Sequence, residues 1–246
     1  MPYVPLAQGR VHFAERGERR PGQPSVLLIH GAGAGSGIWS MTLARIARSA
    51  HAVAIDLPGH GPSEPGEGAL DLQRHRDAVG GLAAALCLGP SILVGHSMGA
   101  LVALEAALTW PDKVRALVLV AAAPRLPVHA ELMTLLREDP EAARVWLADH
   151  GLSPHAKPAL RRGFLAAGAA APPDVVRSDF EIVRATDLTG RLPAVRCPLT
   201  WLDGADDRMV PPEARGDRPG EIVVVPDAGH LLPIEAPAAI AGLIGR

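Results

Sequence analysis

One glycine-flanked serine carries the first chemical signal in this 246-residue chain: Gly95-His96-Ser97-Met98-Gly99. It stands between an apolar run at 91–94 and an amphipathic stretch that continues to Thr109, so it reads as strand, sharp turn, helix. A serine at such a turn takes a strained backbone with its hydroxyl exposed, because the flanking glycines remove side chains that would collide. Chance supplies about 0.1 copies of the string at this glycine and serine content, so its place in the chain gives it weight. A serine hydroxyl is a weak nucleophile until a base takes its proton, and the base needs an acid to fix its tautomer. The chain supplies both after Ser97. Asp206 and Asp207 follow the apolar run at Trp201-Leu202, and His230 closes Pro226-Asp227-Ala228-Gly229-His230 after another. The order serine, acid, histidine, each at a strand end, predicts acyl transfer through a covalent serine intermediate.

Other chemistries find no matching pattern. His12, His51, His75, His129, His150 and His155 show no ligand spacing with one another or with cysteine, so no metal is expected and most read as surface groups. His30 and His60 read as groups that orient backbone, and His96 as a satisfied structural group that points away from the Ser97 hydroxyl. The glycine run Gly31–Gly37 places Ile38 at the last position of G-x-G-x-x-G, and no G-x-x-x-x-G-K occurs. No nucleotide or other cofactor is expected. Cys87 and Cys197 lack C-x-x-C spacing and sit among apolar residues, which predicts buried, reduced thiols.

Positioning three loops at one edge requires a sheet whose strands run the same way. Nearly continuous Val, Leu and Ile runs at 25–30, 51–56, 91–96, 114–121, 198–203 and 221–225 have the character of strands buried on both faces. Amphipathic stretches at 38–49, 72–86, 98–109 and 233–244 lie between or after them. The class is α/β, with a mostly parallel sheet flanked by helices. A leading stretch at 4–16 turns at Gln8-Gly9 and predicts an antiparallel hairpin at one edge. The alternation breaks once. Residues 124–194 read as helices at 127–150, 158–167 and 173–186, a helical cap or lid inserted between core segments 1–123 and 195–246. Within it, the Ala/Gly/Pro-rich 166–173 predicts either a flexible joint or a plain surface loop.

Composition agrees with one large domain: 48% of residues are hydrophobic and 20% charged, enough apolar side chains for a sizeable core. Twenty-four basic residues are spread against 26 acidic ones without a basic block, which excludes a nucleic-acid footprint. No apolar run approaches the ~20 residues that span a bilayer, and the N-terminus lacks a basic stretch followed by an apolar one. The expectation is a cytoplasmic protein acting on a small molecule, with no membrane partner.

At this point the chain resembles the α/β-hydrolase family from about Val4 onward. His30-Gly31-Ala32-Gly33 is similar to its oxyanion loop, 56–61 to its turn after the next strand, and 95–99 to its nucleophile elbow. Gly204-Ala205-Asp206-Asp207 with Val210-Pro211, and Gly229-His230, are similar to its acid and histidine loops. The resemblance implies Ser97 as nucleophile, Asp207 as acid, His230 as base, and the backbone N–H groups of Ala32 and Met98 as oxyanion donors. It leaves Asp206 as a turn or cap-contacting carboxylate and Asp203 at a strand end. An acid position some members use after the strand before the cap is occupied by Ala121-Ala122-Ala123. The short stretch 211–220 departs from the pattern and predicts that the usual helix there shrinks to a turn. Apolar cap residues Leu132, Leu136, Trp146, Phe164 and Phe180, with Trp39 behind the oxyanion loop, are the expected substrate contacts. The implied activity is hydrolysis of a small or medium apolar ester. Carbon–carbon hydrolysis of a β-diketone-like substrate, lactonase or perhydrolase activity, and a non-catalytic binding protein on the same scaffold are the alternatives.

Overall fold

A computed structural model describes residues 2–7 and 9–244; Gln8 of the expected Gln8-Gly9 turn lies outside them. Eight strands form one sheet: β1 (Tyr3–Leu6), β2 (Gly9–Arg16), β3 (Val26–Ile29), β4 (Ala52–Ile55), β5 (Ser91–His96), β6 (Val114–Val120), β7 (Leu199–Gly204) and β8 (Glu221–Val225), in spatial order β1-β2-β4-β3-β5-β6-β7-β8. The leading hairpin β1–β2 is antiparallel and joins β4 antiparallel, while every other pairing is parallel. The central strands have no solvent face: Val26–Ile29 and Ala52–Ile55 are entirely buried. This is why their sequence is apolar without alternation.

Core helices α1 (Ser40–Ile46), α2 (Leu72–Ala85) and α3 (Met98–Thr109) cross between strands. Between β6 and β7 come four helices and a 3₁₀ turn: α4 (Ala130–Glu138), α5 (Pro140–Gly151), α6 (Pro158–Ala167), α7 (Pro173–Ala185) and Thr189–Ala194. The chain then adds α8 (Pro212–Arg215), α9 (Leu232–Glu235) and α10 (Pro237–Ile244). Two helices expected as single pieces are broken. The stretch 127–150 divides at Asp139, whose carboxylate accepts from Ala142 N–H at 3.0 Å and caps a new helix starting on Pro140. The last helix divides before Pro237, which supplies no N–H to continue α9.

The segment between acid and last strand is indeed short, since α8 has four residues. Two guanidinium groups take the space. Arg215 and Arg218 both reach the buried Asp203 carboxylate, at 3.2 and 2.6 Å, which occupies that strand-end acid fully. A surface groove of about 770 Å³ opens beside this turn along Leu192, Cys197, Arg218 and Ile222; neither Ser97 nor His230 lines it.

Several expectations need correcting. Cys87 is exposed, just past the end of α2 in a left-handed turn (φ 50°), and Cys197 is half-buried. His12, His51 and His75 are buried, not surface groups. His12 Nδ1 meets Asp56 Oδ2 at 2.5 Å, and His51 Nε2 meets Glu15 at 2.6 Å, partners 44 and 36 residues away that local spacing does not reveal. The 166–173 joint is tied down: Ala170 N–H donates to Gly33 O at 3.1 Å, and its carbonyl accepts from Gly61 N–H at 2.5 Å.

Candidate active site

Ser97 stands between the last residue of β5 and the first of α3 with φ 52° and ψ −118°, in a region that non-glycine residues rarely occupy. The turn is possible because of its neighbours. A methyl group on Gly95 would strike the Gly99 carbonyl, and one on Gly99 would strike the Ile29 and His30 carbonyls at the end of β3. The serine is therefore held half-buried where α3 begins, with its N–H bonded to Val120 O at 3.0 Å.

The acid and histidine loops meet beyond β7 and β8. Gly204 permits the approach, since any side chain there would strike the Ala228 and Gly229 carbonyls. His230 Nδ1–H donates to Asp207 Oδ2 at 3.0 Å, while Asp207 Oδ1 accepts from the Met209 and Val210 N–H groups, both at 2.9 Å. Burial alone would raise the Asp207 carboxyl, but the His230 charge and these hydrogen bonds outweigh it and hold it below its ordinary range. Asp206 does something else: its Oδ2 accepts from the Ser153 hydroxyl at 2.6 Å, a contact with the helical insertion. With Nδ1 bound to Asp207, His230 keeps Nε2 as its free nitrogen. The structure records no Ser97 Oγ–His230 hydrogen bond; such bonds commonly tighten only in the substrate complex.

His96, the neighbour of the serine, is turned to the histidine loop and donates from Nε2 to His230 O at 2.9 Å. Burial, then the nearby His230 charge, push its pKa down to about 3, so it stays neutral. Gly31 lies against this pair, with room for no side chain: an added methyl would sit 2.9 Å from His96 Nδ1 and 3.1 Å from Ser97 Cβ. The loop at 30–33 thus reaches Ser97. Among the described residues neither Ala32 N–H nor Met98 N–H has an acceptor, the latter as expected in a first helical turn.

The expected substrate contacts fall into three groups. Leu132, Leu136, Trp146 and Phe180 are buried in the cluster that joins the insertion to α3, and Leu132 has no accessible surface. Trp146 is further committed to Glu131 at 2.9 Å and stacked on His150 at 3.8 Å. Phe164 is half-buried on α6, outside that cluster. Trp39 belongs to the separate cluster with α1 and α10, fully buried and edge-on to His96 at 6.4 Å, so it packs beneath the site and not with the insertion. Two residues escaped the sequence reading. Val176 packs on Gly33, and Asp179 accepts from Gly33 N–H at 2.9 Å. The latter carries a visible signal, a carboxylate on the apolar face of α7. Tertiary structure also gathers His155, Asp206 and Asp227 with ligand atoms within 4.8 Å of one another; His155 and Asp227 are exposed. Among the described residues no helix is long and apolar enough to cross a membrane.

A serine in a strained strand-to-helix turn, with a histidine–aspartate pair at the same edge of a mostly parallel eight-stranded sheet, defines an α/β hydrolase. The match to the alpha/beta hydrolase family spans residues 26–243. A pimeloyl-[acyl-carrier protein] methyl ester esterase from Xanthomonas oryzae pv. oryzae is 33% identical over 204 residues, 76% of this chain and 78% of that one. Its namesake from Stenotrophomonas maltophilia is 33% identical over 207 residues, 78% of each. A thermophilic esterase from Thermogutta terrifontis superposes with a TM-score of 0.87 at 25% identity, covering 100% of this chain and 97% of that one. An enol-lactonase from Burkholderia xenovorans LB400 shares the fold, with a TM-score of 0.85 at 21% identity over 99% and 98% of the two chains. The chain belongs to the alpha/beta hydrolase family, and it is a hydrolase.

Proposed function

We propose that the chain is a serine esterase that cleaves small or medium apolar acyl esters. The observation that carries this reading is the 3.0 Å His230–Asp207 hydrogen bond at the sheet edge where Ser97 occupies its positive-φ turn. His230 takes the Ser97 hydroxyl proton onto Nε2 as the hydroxyl oxygen attacks the ester carbonyl, and Asp207 stabilises the imidazolium. The developing oxyanion takes the free N–H groups of Ala32 and Met98, each donor contributing about 2.7–4 kcal/mol to the transition state. His230 then protonates the leaving alcohol. Water, activated by the same imidazole, releases the acid and restores Ser97.

The insertion at 124–194 acts as the cap. Val176, against Gly33, sets the apolar wall nearest the oxyanion loop. That wall suits an alkyl chain, and the 33% identity to methyl ester esterases favours an ester over a carbon–carbon substrate.

The test combines fluorophosphonate labelling with turnover of a p-nitrophenyl series from acetate to decanoate, and of methyl half-esters of dicarboxylic acids, on wild type and Ser97→Ala. Labelling and turnover that both vanish in the variant establish the serine mechanism, and the chain-length optimum sizes the pocket. A wild type that neither labels nor turns over would sink the reading.

A further inference from the structure

Helix α7 carries an anomaly legible in its own sequence. Val176, Asp179, Phe180 and Val183 are its buried positions, spaced as a single apolar stripe, and one of the four is a carboxylate. Asp179 has no accessible surface. A charge so placed is destabilising unless specific groups answer it. The groups that answer are in the catalytic core. Asp179 Oδ2 accepts from His60 Nε2–H at 2.7 Å and from the Gly33 N–H at 2.9 Å, and Oδ1 lies 3.7 Å from His75 Nε2. His60 is bonded at both nitrogens, since Nδ1–H donates to Pro58 O at 3.1 Å. Two donors on one ring mean an imidazolium, so His60 and Asp179 form a buried ion pair between core and insertion.

The Gly33 contact matters because of what precedes it. Ala32 N–H belongs to the Gly31–Ala32 peptide, whose oxygen accepts from His30 Nδ1–H at 2.9 Å. That proton is fixed on Nδ1, because His30 Nε2 accepts from Leu57 N–H at 3.0 Å. The next peptide, Ala32–Gly33, has its N–H on Asp179, and the Gly33 carbonyl accepts from Ala170 N–H at 3.1 Å. Peptide units are planar, so the Ala32 N–H lies in the first of these planes, and the second plane constrains it through the φ and ψ of Ala32. The core holds the first plane through His30. The insertion holds the second through Asp179.

We infer that Asp179 is a positioning residue for the oxyanion hole: it fixes the Ala32–Gly33 peptide through the Gly33 N–H and makes the aim of the Ala32 donor depend on seating of the insertion. This rests on the esterase reading for its catalytic consequence. A donor displaced by ~1 Å costs up to about 10²-fold in rate. The loss falls on the transition state, because the oxyanion forms only there.

The experiment compares wild type with Asp179→Ala, Asp179→Asn and Val183→Ala, the last loosening α7 one turn away without touching the carboxylate. Kinetics with p-nitrophenyl acetate, butyrate and octanoate, fluorophosphonate labelling rates and thermal midpoints are measured on each. Asp179→Ala should lower kcat by about 10–10²-fold, with KM little changed, by the same factor for every chain length, and the labelling rate should fall in parallel. Asp179→Asn, whose neutral amide oxygen holds the Gly33 N–H more weakly than the carboxylate does, should recover part of kcat but not all of it, and Val183→Ala should keep it. A KM that rises with chain length at constant kcat would overturn the inference, as would an equal loss of kcat in Val183→Ala at an equal drop in thermal midpoint. If Asp179→Ala does not fold, Asp179→Asn decides through the Gly33 amide: faster hydrogen exchange there, with the β3 amides unchanged, supports the inference, and unchanged exchange refutes it. That amide readout needs no turnover, so it separates failure of this inference from failure of the esterase reading.

Discussion

Three carboxylates lie within five residues at the end of β7, and their bonds give them three different tasks. Asp203 is saturated by Arg215 and Arg218, Asp206 is held by the Ser153 hydroxyl, and Asp207 alone of the three reaches His230. Asp207→Asn should therefore lower kcat by about 10⁴-fold by spoiling the imidazole tautomer, while Asp206→Asn should change kcat far less; steady-state kinetics on both variants with unchanged circular dichroism checks this. The acid limb of the pH profile follows from the same bond. Asp207 is held below its ordinary range, so it stays ionised while an imidazole base, near ~6.5 when free, takes up a proton. The rate should fall from pH 8 to pH 5, and a flat rate across that interval contradicts a histidine base. Ser97, Asp207 and His230 were legible because each sits in a short run whose glycines and strand ends announce a loop. The partners of Asp179, His12 and His51 were not, because they lie 119, 44 and 36 residues away; only the carboxylate on the apolar stripe of α7 marked Asp179 itself.

The elements hold the site by close approach more than by charge. Helix α3 begins so near β3 that Gly99 has no room for a Cβ, which brings the loop at 30–33 beside Ser97. Gly99→Ala should destabilise the fold by at least ~1–3 kcal/mol as an overpacking change, read as a lower urea midpoint. Gly163, in the middle of α6, has open space around it. Gly163→Ala should instead stabilise by ~0.5–1 kcal/mol, because alanine loses less backbone entropy in a helix. The strands were readable as a parallel sheet since burial on both faces leaves an apolar run. The breaks at Pro140 and Pro237 were not, because a continuous apolar period hides a proline that starts a second helix. The shortening of α8 was visible in Pro219-Gly220, whereas its replacement by two arginines on Asp203 is a tertiary arrangement.

The insertion is joined to the core at two places, beside His230 and at Gly33. At one end the Gly151 carbonyl that closes α5 accepts from His230 N–H at 2.7 Å and Leu231 N–H at 3.1 Å, and Glu235 bridges Ser153 N–H to Gly229 N–H. At the other end Asp179 meets His60 and Gly33. The second junction is ionic and dry, so its contribution depends on pH and little on salt. Burial alone would lower the His60 pKa, but the Asp179 hydrogen bond and charge outweigh it and raise it. For Asp179 burial would raise the pKa, yet His60 and His75 pull it far below its ordinary range. A raised histidine stabilises fully below its unfolded value of ~6.5 and loses that contribution as pH climbs through the folded value; a depressed aspartate stabilises above ~3.9 and loses it only in stronger acid. The pair therefore contributes most between about pH 4 and 6.5. The difference in thermal midpoint between wild type and Asp179→Asn should be largest near pH 5 and shrink by pH 9, with little response to added salt. A difference that fails to shrink toward alkaline pH would mean that His60 is neutral in the fold and that no ion pair seats this end of the insertion.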